Sequence, residues 1–263
     1  MTATKLILFE GIPGSGKTTT SQLLHASFKE HGTDSAVFVE GSEHPIDLPF
    51  YAYLTTSEFM ELLSKYPQQA DWLKQISVIE DAYALTPYQS TEPDSRDDSL
   101  LEYLRSKEFC YSDRPVVSFD TFKEVFCKRF EKFAASAKKQ DTVTIFESVL
   151  FQHQIHDIHR LYPEVSEREI IEYLGKLAHI IKPLNPVLFY LSQSSVNESL
   201  EHTANIRSKP KWAAEETIAY YIRRKKLEMD AIKELPFYSR VIDNTDRDYD
   251  NMMATILRTL LEK

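Results

Sequence analysis

One stretch near the N-terminus, residues 5–20, limits the folds open to this chain more than any other. It reads KLILFEGIPGSGKTTT, so an apolar run, Leu6–Phe9, is followed at once by G-x-x-x-x-G-K-T from Gly11 to Thr18. This is the pattern of a phosphate-binding loop, because glycines allow backbone angles at which successive N–H groups face one anion. In a chain of 263 residues a chance match has a probability on the order of one percent.

The residues of this loop predict a site for nucleotide phosphates and Mg²⁺. Lys17 would place a point charge at the β- and γ-phosphates, and the Thr18 hydroxyl is a Mg²⁺ ligand in loops of this type. The helix predicted from Lys17 to about His31 would direct the positive end of its dipole at the same phosphates. The expected nucleotide contacts from the loop are Gly11, Pro13, Gly14, Ser15, Gly16, Lys17, Thr18 and Thr19.

Charge and composition narrow the class of partner. The formal net charge of −9 argues against a nucleic-acid partner. Cys110 and Cys127 offer neither a disulfide framework nor a metal-binding spacing. Apolar runs are shorter than a membrane span, and the first strand begins too early to leave room for a signal peptide. We expect a cytoplasmic protein that binds a small-molecule phosphate acceptor and no membrane, with homodimer formation left open.

Strands and helices alternate along the chain. Apolar strand-like runs follow the first one at residues 36–40, 142–147, 186–191 and 240–243. Helical patterns occupy about residues 17–31, 118–139, 148–161, 166–182, 196–203, 212–235 and 247–262. Nearly unbroken apolar strands joined by helices predict an α/β fold of three layers, a five-stranded parallel sheet with helices on both faces.

Residues 49–115 are less regular and too long for a simple connection. We predict a helical insertion there, within one domain spanning residues 1–263, and a lid at about 205–215. The predicted helices of the insertion are near residues 57–64, 68–84 and 97–109, with a polar loop, TEPDSRDDS, starting at Thr91. Its aromatic residues either line an acceptor pocket or pack between helices. They are Tyr51, Tyr53, Trp72, Tyr83 and Tyr88.

Carboxylates end three of the predicted strands, at the edge where the loop opens: Glu10, Glu40 and Glu147. Glu147 best fits the position from which such enzymes hold Mg²⁺, although it could instead stabilise the start of the next helix. Glu40 could accept or orient the proton of an acceptor hydroxyl, or be a solvated loop residue. The loop residues Glu43, His44 and Asp47 are candidates for the same role.

Phosphoryl transfer requires positive charge around the migrating group. Arg207, in the predicted lid with Lys209 and Lys211, is the favoured candidate. Arg223 and Arg224 follow on the next helix, where the run Arg-Arg-Lys-Lys is also typical of a solvated helix face.

Histidines recur every third residue after Glu147, at His153, His156 and His159. That spacing spreads them over about a third of the helix circumference and suits a three-histidine metal site poorly. One of them, or Gln152, is a candidate for contact with the acceptor.

The segment FEGIPGSGKTT resembles the first strand and phosphate loop of the P-loop nucleoside and nucleotide kinases, the thymidylate kinase-like and deoxynucleoside kinase group. The resemblance implies the P-loop kinase fold, with ATP and Mg²⁺ as cofactors. It also implies an acidic residue after the second strand, a polar motif after the third, an arginine-bearing lid after the fourth and an adenine-side loop after the fifth. The matching positions here are Glu40, Glu147-Ser148, Arg207 and Asn244-Thr245.

Two departures from that group leave the acceptor open. The third strand ends in Glu147-Ser148-Val149, where thymidylate kinases have Asp-Arg and deoxynucleoside kinases Glu-Arg-Ser. The second strand is followed by Glu-Gly-Ser-Glu-His-Pro, not Glu-Pro. The resemblance therefore supports the fold and the use of ATP more strongly than it supports any particular acceptor.

The sequence thus favours an ATP- and Mg²⁺-dependent phosphotransferase that acts on a small hydroxylated or phosphorylated acceptor, nucleoside- or nucleotide-like. In this interpretation Lys17, Glu40 and Arg207 are catalytic, and Thr18 and Glu147 hold the metal. The alternatives are a P-loop NTPase acting as a nucleotide-dependent switch or assembly protein, and a binding module without catalysis.

Overall fold

The computed structural model describes residues 4–41, 43–89 and 97–262. The strands are β1 Leu6–Glu10, β2 Ser35–Phe38, β3 Tyr51–Thr55, β4 Val78–Ile79, β5 Tyr83–Pro87, β6 Val143–Glu147, β7 Val187–Ser192 and β8 Tyr238–Asp243. The α-helices are α1 Lys17–Glu30, α2 Thr56–Lys65, α3 Ala70–Ile76, α4 Asp98–Ser106, α5 Phe119–Ala137, α6 Gln152–Leu161, α7 Glu167–Ile181, α8 Val196–Ile206, α9 Glu215–Lys233 and α10 Tyr249–Leu261. Short 3₁₀ turns lie at Lys182–Leu184 and Pro210–Ala213.

The chain divides into two compact units. The first comprises Met1–Ile46, Lys123–Ile158 and Glu164–Lys263, and the second Asp47–Phe122 and His159–Pro163. No helix in the described ranges combines the length and apolarity needed to cross a membrane.

The first unit is built on a parallel sheet. Among the described residues it has five strands, in the order β2-β6-β1-β7-β8. β1 is central and wholly buried, with Leu8 in register with Phe146 on one side and Leu188 on the other. A strand buried on both faces has no polar alternation, which is why its sequence is an unbroken apolar run.

Helices cover both faces of this sheet. Ile145 packs in the cluster that contains Leu24 of α1 and Ile256 of α10. Its neighbour Phe146 points to the opposite face, where its ring centroid lies 4.7 Å from that of Phe133 on α5. The predicted α/β fold with a five-stranded parallel sheet and helices on both faces is therefore confirmed.

The second unit contains a sheet that the sequence did not predict. Its antiparallel strands run in the order β3-β5-β4. The helix expected over residues 68–84 is wrong beyond Ile76, because Val78–Ile79 and Tyr83–Pro87 pair as strands instead. β-branched and aromatic residues favour that pairing. The insertion is therefore not purely helical; most of the polar loop predicted from Thr91 lies outside the described residues.

The aromatic residues of this unit pack with one another. Tyr53 stacks between Tyr83 and Phe109, with centroid distances of 5.2 and 5.8 Å. The Tyr88 hydroxyl donates to the carboxylate of buried Glu108. Trp72 lies against the apolar cluster of the unit, and Tyr51 is the first residue of β3.

Candidate active site

The phosphate loop is shaped by glycines that no other residue could replace without movement. Gly14 has φ +80°, and a Cβ there would lie 1.9 Å from the Thr203 hydroxyl of α8. Gly16 has φ +96°, and its Cβ would lie 2.7 Å from Nδ2 of Asn244. The loop is therefore both left-handed at these points and closely packed.

Two distant side chains fix the backbone of the loop. Asn244, directly after β8, donates from Nδ2 to the Ser15 carbonyl at 2.8 Å. Gln193, directly after β7, donates from Nε2 to the Gly14 carbonyl at 3.1 Å. The predicted loop residue Asn244 is thus at the site, while Gln193 was not predicted. Of the other predicted loop contacts, Pro13 is buried and Thr19 is exposed.

Lys17 is buried beside the loop. Its Nζ donates to the carbonyls of Gly11, at 2.9 Å, and Ile12, at 3.2 Å. Burial lowers the pKa of Lys17; the Glu147 carboxylate opposes this, and the Arg224 guanidinium adds to it. The ammonium group is held among carbonyls and carboxylates, in a position to exchange these contacts for an anion.

Thr18 and Glu147, the two predicted metal ligands, are in direct contact. The Thr18 hydroxyl donates to Oε1 of Glu147 at 2.6 Å. The backbone N–H of Glu40 donates to Oε2 of Glu147 at 3.4 Å. The side-chain amide Nε2 of Gln152 in turn donates to Oε2 of Glu40 at 3.1 Å. The neighbouring carboxyl ends of β2, β6 and β1, with the start of α6, therefore bring these four residues together.

Glu10 has a structural role, although it also ends a strand beside the loop. Its carboxylate is fully buried and accepts the backbone N–H groups of Leu150, Phe151 and Gln152 at 2.7, 3.1 and 3.2 Å. These are orphan donors at the start of α6, so Glu10 caps that helix. Burial, reinforced by Glu228, raises the pKa of Glu10 to about 7 despite these hydrogen bonds.

Three buried polar atoms around the loop have no hydrogen-bond partner among the described residues: Ser15 Oγ, Ser148 Oγ and Asn244 Oδ1. Buried polar groups in proteins are nearly always paired, so unpaired ones mark places for water, ions or ligands. Ser148 also has φ +67°, an unusual conformation for a residue other than glycine, next to Glu147.

The other candidates for contact with the acceptor differ in their surroundings. Glu43 is exposed. His44 is buried, accepts the N–H of Ile46 at Nδ1 at 3.0 Å and packs on Phe146. Asp47 belongs to the second unit, where its Oδ1 accepts the N–H that follows it, at 2.9 Å.

Arg207, the favoured candidate for the cation over the transferred phosphate, is exposed at the C-terminal end of α8. Its guanidinium lies over the Trp212 ring at 5.4 Å, and the ammonium of Lys209 lies over the same ring at 5.5 Å. Lys211 lies in the 3₁₀ turn that contains this tryptophan. The role of Arg207 in catalysis therefore stays a prediction.

Arg224, which the sequence left as a second choice, is a second buried cation of the site, with Lys17. It is 1% exposed, and its Nε donates to Oε1 of Glu228 at 2.7 Å. Its Nη2 lies 3.5 Å from both the Gly11 carbonyl and Oε1 of Gln152. The sequence shows the i,i+4 spacing of Arg224 and Glu228. Exposed helix faces have the same spacing, so it does not reveal that this pair is buried.

The three histidines after Glu147 have separate environments. His153 is buried, His156 lies 3.4 Å from the Tyr220 hydroxyl, and His159 belongs to the second unit. Within the described ranges there is no group of three or more His, Cys, Asp or Glu side chains arranged to hold a metal.

A cavity of about 380 Å³ adjoins Asn244 between β8 and α10. Its lining includes Arg240, Arg247 and Met252. It lies in the region that the sequence assigned to an adenine-side loop.

The sheet order, with β1 between β6 and β7 and the phosphate loop at its carboxyl end, defines a three-layer α/β fold with a phosphate loop at the switch point of a parallel sheet. This strand order and loop position agree with the fold that the resemblance to P-loop nucleoside and nucleotide kinases implies. Among solved structures the chain is similar to thymidylate kinase from Ehrlichia chaffeensis, with 15% sequence identity, a TM-score of 0.44, and coverage of 98% of this chain and 100% of that chain. No protein-family model and no curated protein matches the sequence.

Proposed function

We propose that this protein is an ATP- and Mg²⁺-dependent phosphotransferase that delivers the γ-phosphate to a small hydroxylated or phosphorylated acceptor, nucleoside- or nucleotide-like. The observation that carries the proposal is the 2.6 Å contact between Thr18 and Glu147 beside the buried Lys17. Hydroxyl and carboxylate oxygens are the protein ligands that Mg²⁺ takes in nucleotide sites.

The residues present fit a nucleoside triphosphate with its metal. The loop is left-handed at Gly14 and Gly16, a conformation that lets successive backbone N–H groups face one anion. Ser15 Oγ, in the loop, and Asn244 Oδ1, beside it, are buried polar atoms without a hydrogen-bond partner among the described residues. In the proposal Thr18 and Glu147 hold Mg²⁺, which neutralises phosphate charge.

The remaining roles follow from what each side chain can do. Lys17 leaves the carbonyls of Gly11 and Ile12 and binds phosphate oxygens. Glu40 accepts or orients the proton of the acceptor hydroxyl, because its backbone N–H donates to Glu147 and its carboxylate accepts from Gln152 beside the same site. Arg207 stays the proposed lid cation, and the cavity beside Asn244 the proposed base site.

The proposal is tested by incubating the protein with Mg²⁺, γ-labelled ATP and a panel of nucleosides, nucleotides and other hydroxylated metabolites. We expect label on at least one acceptor, and none with Lys17→Ala. A matched control is Lys29→Ala, because Lys29 lies in the last turn of the same helix, away from the loop. ATP binding without transfer to any acceptor would contradict the proposal, and oligomers that form only with ATP would then favour the nucleotide-dependent switch.

A further inference from the structure

A continuous set of polar contacts links α9 to the carboxylate of Glu40. Tyr190 donates to Oε2 of Glu228 at 2.6 Å, and Glu228 accepts Arg224 through its other oxygen at 2.7 Å. Arg224 lies 3.5 Å from Oε1 of Gln152, whose Nε2 donates to Glu40 at 3.1 Å. The first four of these side chains are buried, and Glu40 is exposed.

The chemistry of Arg224 fixes the orientation of the Gln152 amide. A guanidinium only donates hydrogen bonds, so the oxygen of the amide must face Arg224. The NH₂ group then faces Glu40, whose ionised carboxylate only accepts. A flipped amide would set donor against donor and acceptor against acceptor, so one orientation is selected.

Both ends of this link are anchored. The backbone N–H of Gln152 donates to the buried carboxylate of Glu10 at 3.2 Å, which fixes the start of α6. The guanidinium of Arg224 is fixed by Glu228, with side chains 1% and 0% exposed. Lys17 and Arg224 also share the Gly11 carbonyl, at 2.9 and 3.5 Å, so the link reaches the phosphate loop.

We propose that Arg224 and Gln152 are positioning residues: Arg224 orients the Gln152 amide, and Gln152 holds the Glu40 carboxylate in the place from which it handles the acceptor. This inference rests on the proposed function for the role of Glu40. In this arrangement Arg224 is a fixed, buried cation of the site. The strand β6 ends in Glu147-Ser148, without an adjoining arginine.

The link itself is tested by NMR of the full-length ¹⁵N-labelled protein, without any activity. The side-chain NH₂ signal of Gln152 is identified by its loss in Gln152→Met. We expect that signal to shift in Glu40→Ala and in Arg224→Lys, and to stay in place in the matched controls Glu43→Ala and Arg223→Lys, whose side chains are exposed. An unchanged signal in both test variants would overturn the inference.

The positioning role is tested by kinetics with Mg²⁺, ATP and the acceptor found in the panel. Gln152→Met should lower kcat about tenfold or more while the ATP affinity changes less than about twofold. Gln154→Met is the control, because Gln154 lies on the same helix and is also buried but accepts from Tyr173 instead. An unchanged kcat in Gln152→Met would overturn the positioning role.

The two proposals fail in different ways. If no acceptor is labelled by the wild type while the Gln152 signal responds as expected, the phosphotransferase proposal fails and the orientation of Gln152 by Arg224 is supported. If transfer occurs and neither Gln152→Met nor Arg224→Lys changes it, the phosphotransferase proposal is supported and the positioning role is rejected.

Discussion

The Thr18 hydroxyl donates to the Glu147 carboxylate at 2.6 Å, although the two residues are 129 positions apart in the chain. The contact exists because β1 and β6 are neighbours in parallel register, so their carboxyl ends place the loop and Glu147 side by side. The pair occupies the position from which a metal would be held in the proposed function.

We expect Glu147→Gln to weaken binding of ATP in the presence of Mg²⁺ about tenfold, equivalent to roughly 1.4 kcal/mol, because an amide is a poorer ligand for a hard cation. ATP affinity without Mg²⁺ should change little. Isothermal titration calorimetry with and without the metal measures both values. Glu43→Gln is the control, since Glu43 is exposed; an equal loss in both conditions would show that Glu147 acts on the fold and not through Mg²⁺.

The pH dependence of stability should contain a contribution from Glu10. Its pKa is about 7 in the folded protein against 4.5 for an unperturbed glutamate, so the folded state binds more protons between these values. The contribution to the free energy of unfolding is therefore full below pH 4.5 and falls as the pH rises to about 7, by roughly 3 kcal/mol. Denaturant unfolding of the wild type and Glu10→Gln at several pH values should give a difference that declines over this range; a constant difference would contradict the assignment.

The buried ion pair of Arg224 and Glu228 should be costly to break. Glu228→Gln leaves a buried guanidinium without its counter-ion, and we expect a loss of about 3–5 kcal/mol in the free energy of unfolding. The double variant Arg224→Met/Glu228→Met should recover most of it, because neither charge of this pair is then left buried without its partner.

The exposed pair of Arg168 and Glu172 provides the control for this measurement. It has the same i,i+4 spacing and a similar Nε to Oε1 distance of 2.8 Å, but its side chains are 64% and 59% exposed. Glu172→Gln should cost less than about 0.5 kcal/mol in urea unfolding. Equal losses for the two pairs would show that burial does not set the strength of the first.

Gly14→Ala should impair both stability and nucleotide binding, because its Cβ would collide with Thr203 at φ +80°. Gly41→Ala separates the two causes, since Gly41 has φ +82° and no atom within 4 Å of its Cβ position. We expect Gly41→Ala to lower the free energy of unfolding by about 1 kcal/mol, through backbone strain alone, and Gly14→Ala to lower it by more. The double variant Gly14→Ala/Thr203→Ala should recover only the stability that the collision with Thr203 costs, and not the part due to backbone strain. If thermal or urea unfolding shows no recovery, the collision is not the cause.

The parallel sheet could be predicted because its strands carry their own signal. Leu6–Phe9 is apolar at every position, as a strand buried on both faces requires, and the glycines of the loop follow it directly. Because neighbouring parallel strands end at the same edge of the sheet, Glu147 and Glu40 were expected near the loop, and the structure places them in contact there.

The parts that sequence reasoning missed depend on burial that only tertiary packing creates. Arg224 and Glu228 have the spacing of a surface pair, and nothing local distinguishes them from Arg168 and Glu172. Likewise the strand Tyr83–Pro87 was missed, and its first two residues were assigned to a helix, because its pairing partner, β3, lies about thirty positions earlier in the sequence.

The hydrogen bond from Asn244 to the Ser15 carbonyl joins two residues 229 positions apart, so the ribosome makes the loop long before the side chain that binds it. A nascent chain that stops short of β8 has made the whole phosphate loop but lacks the side chain that braces it. We therefore expect ribosome-bound chains to acquire nucleotide affinity late in synthesis, only after residue 244 has emerged from the exit tunnel.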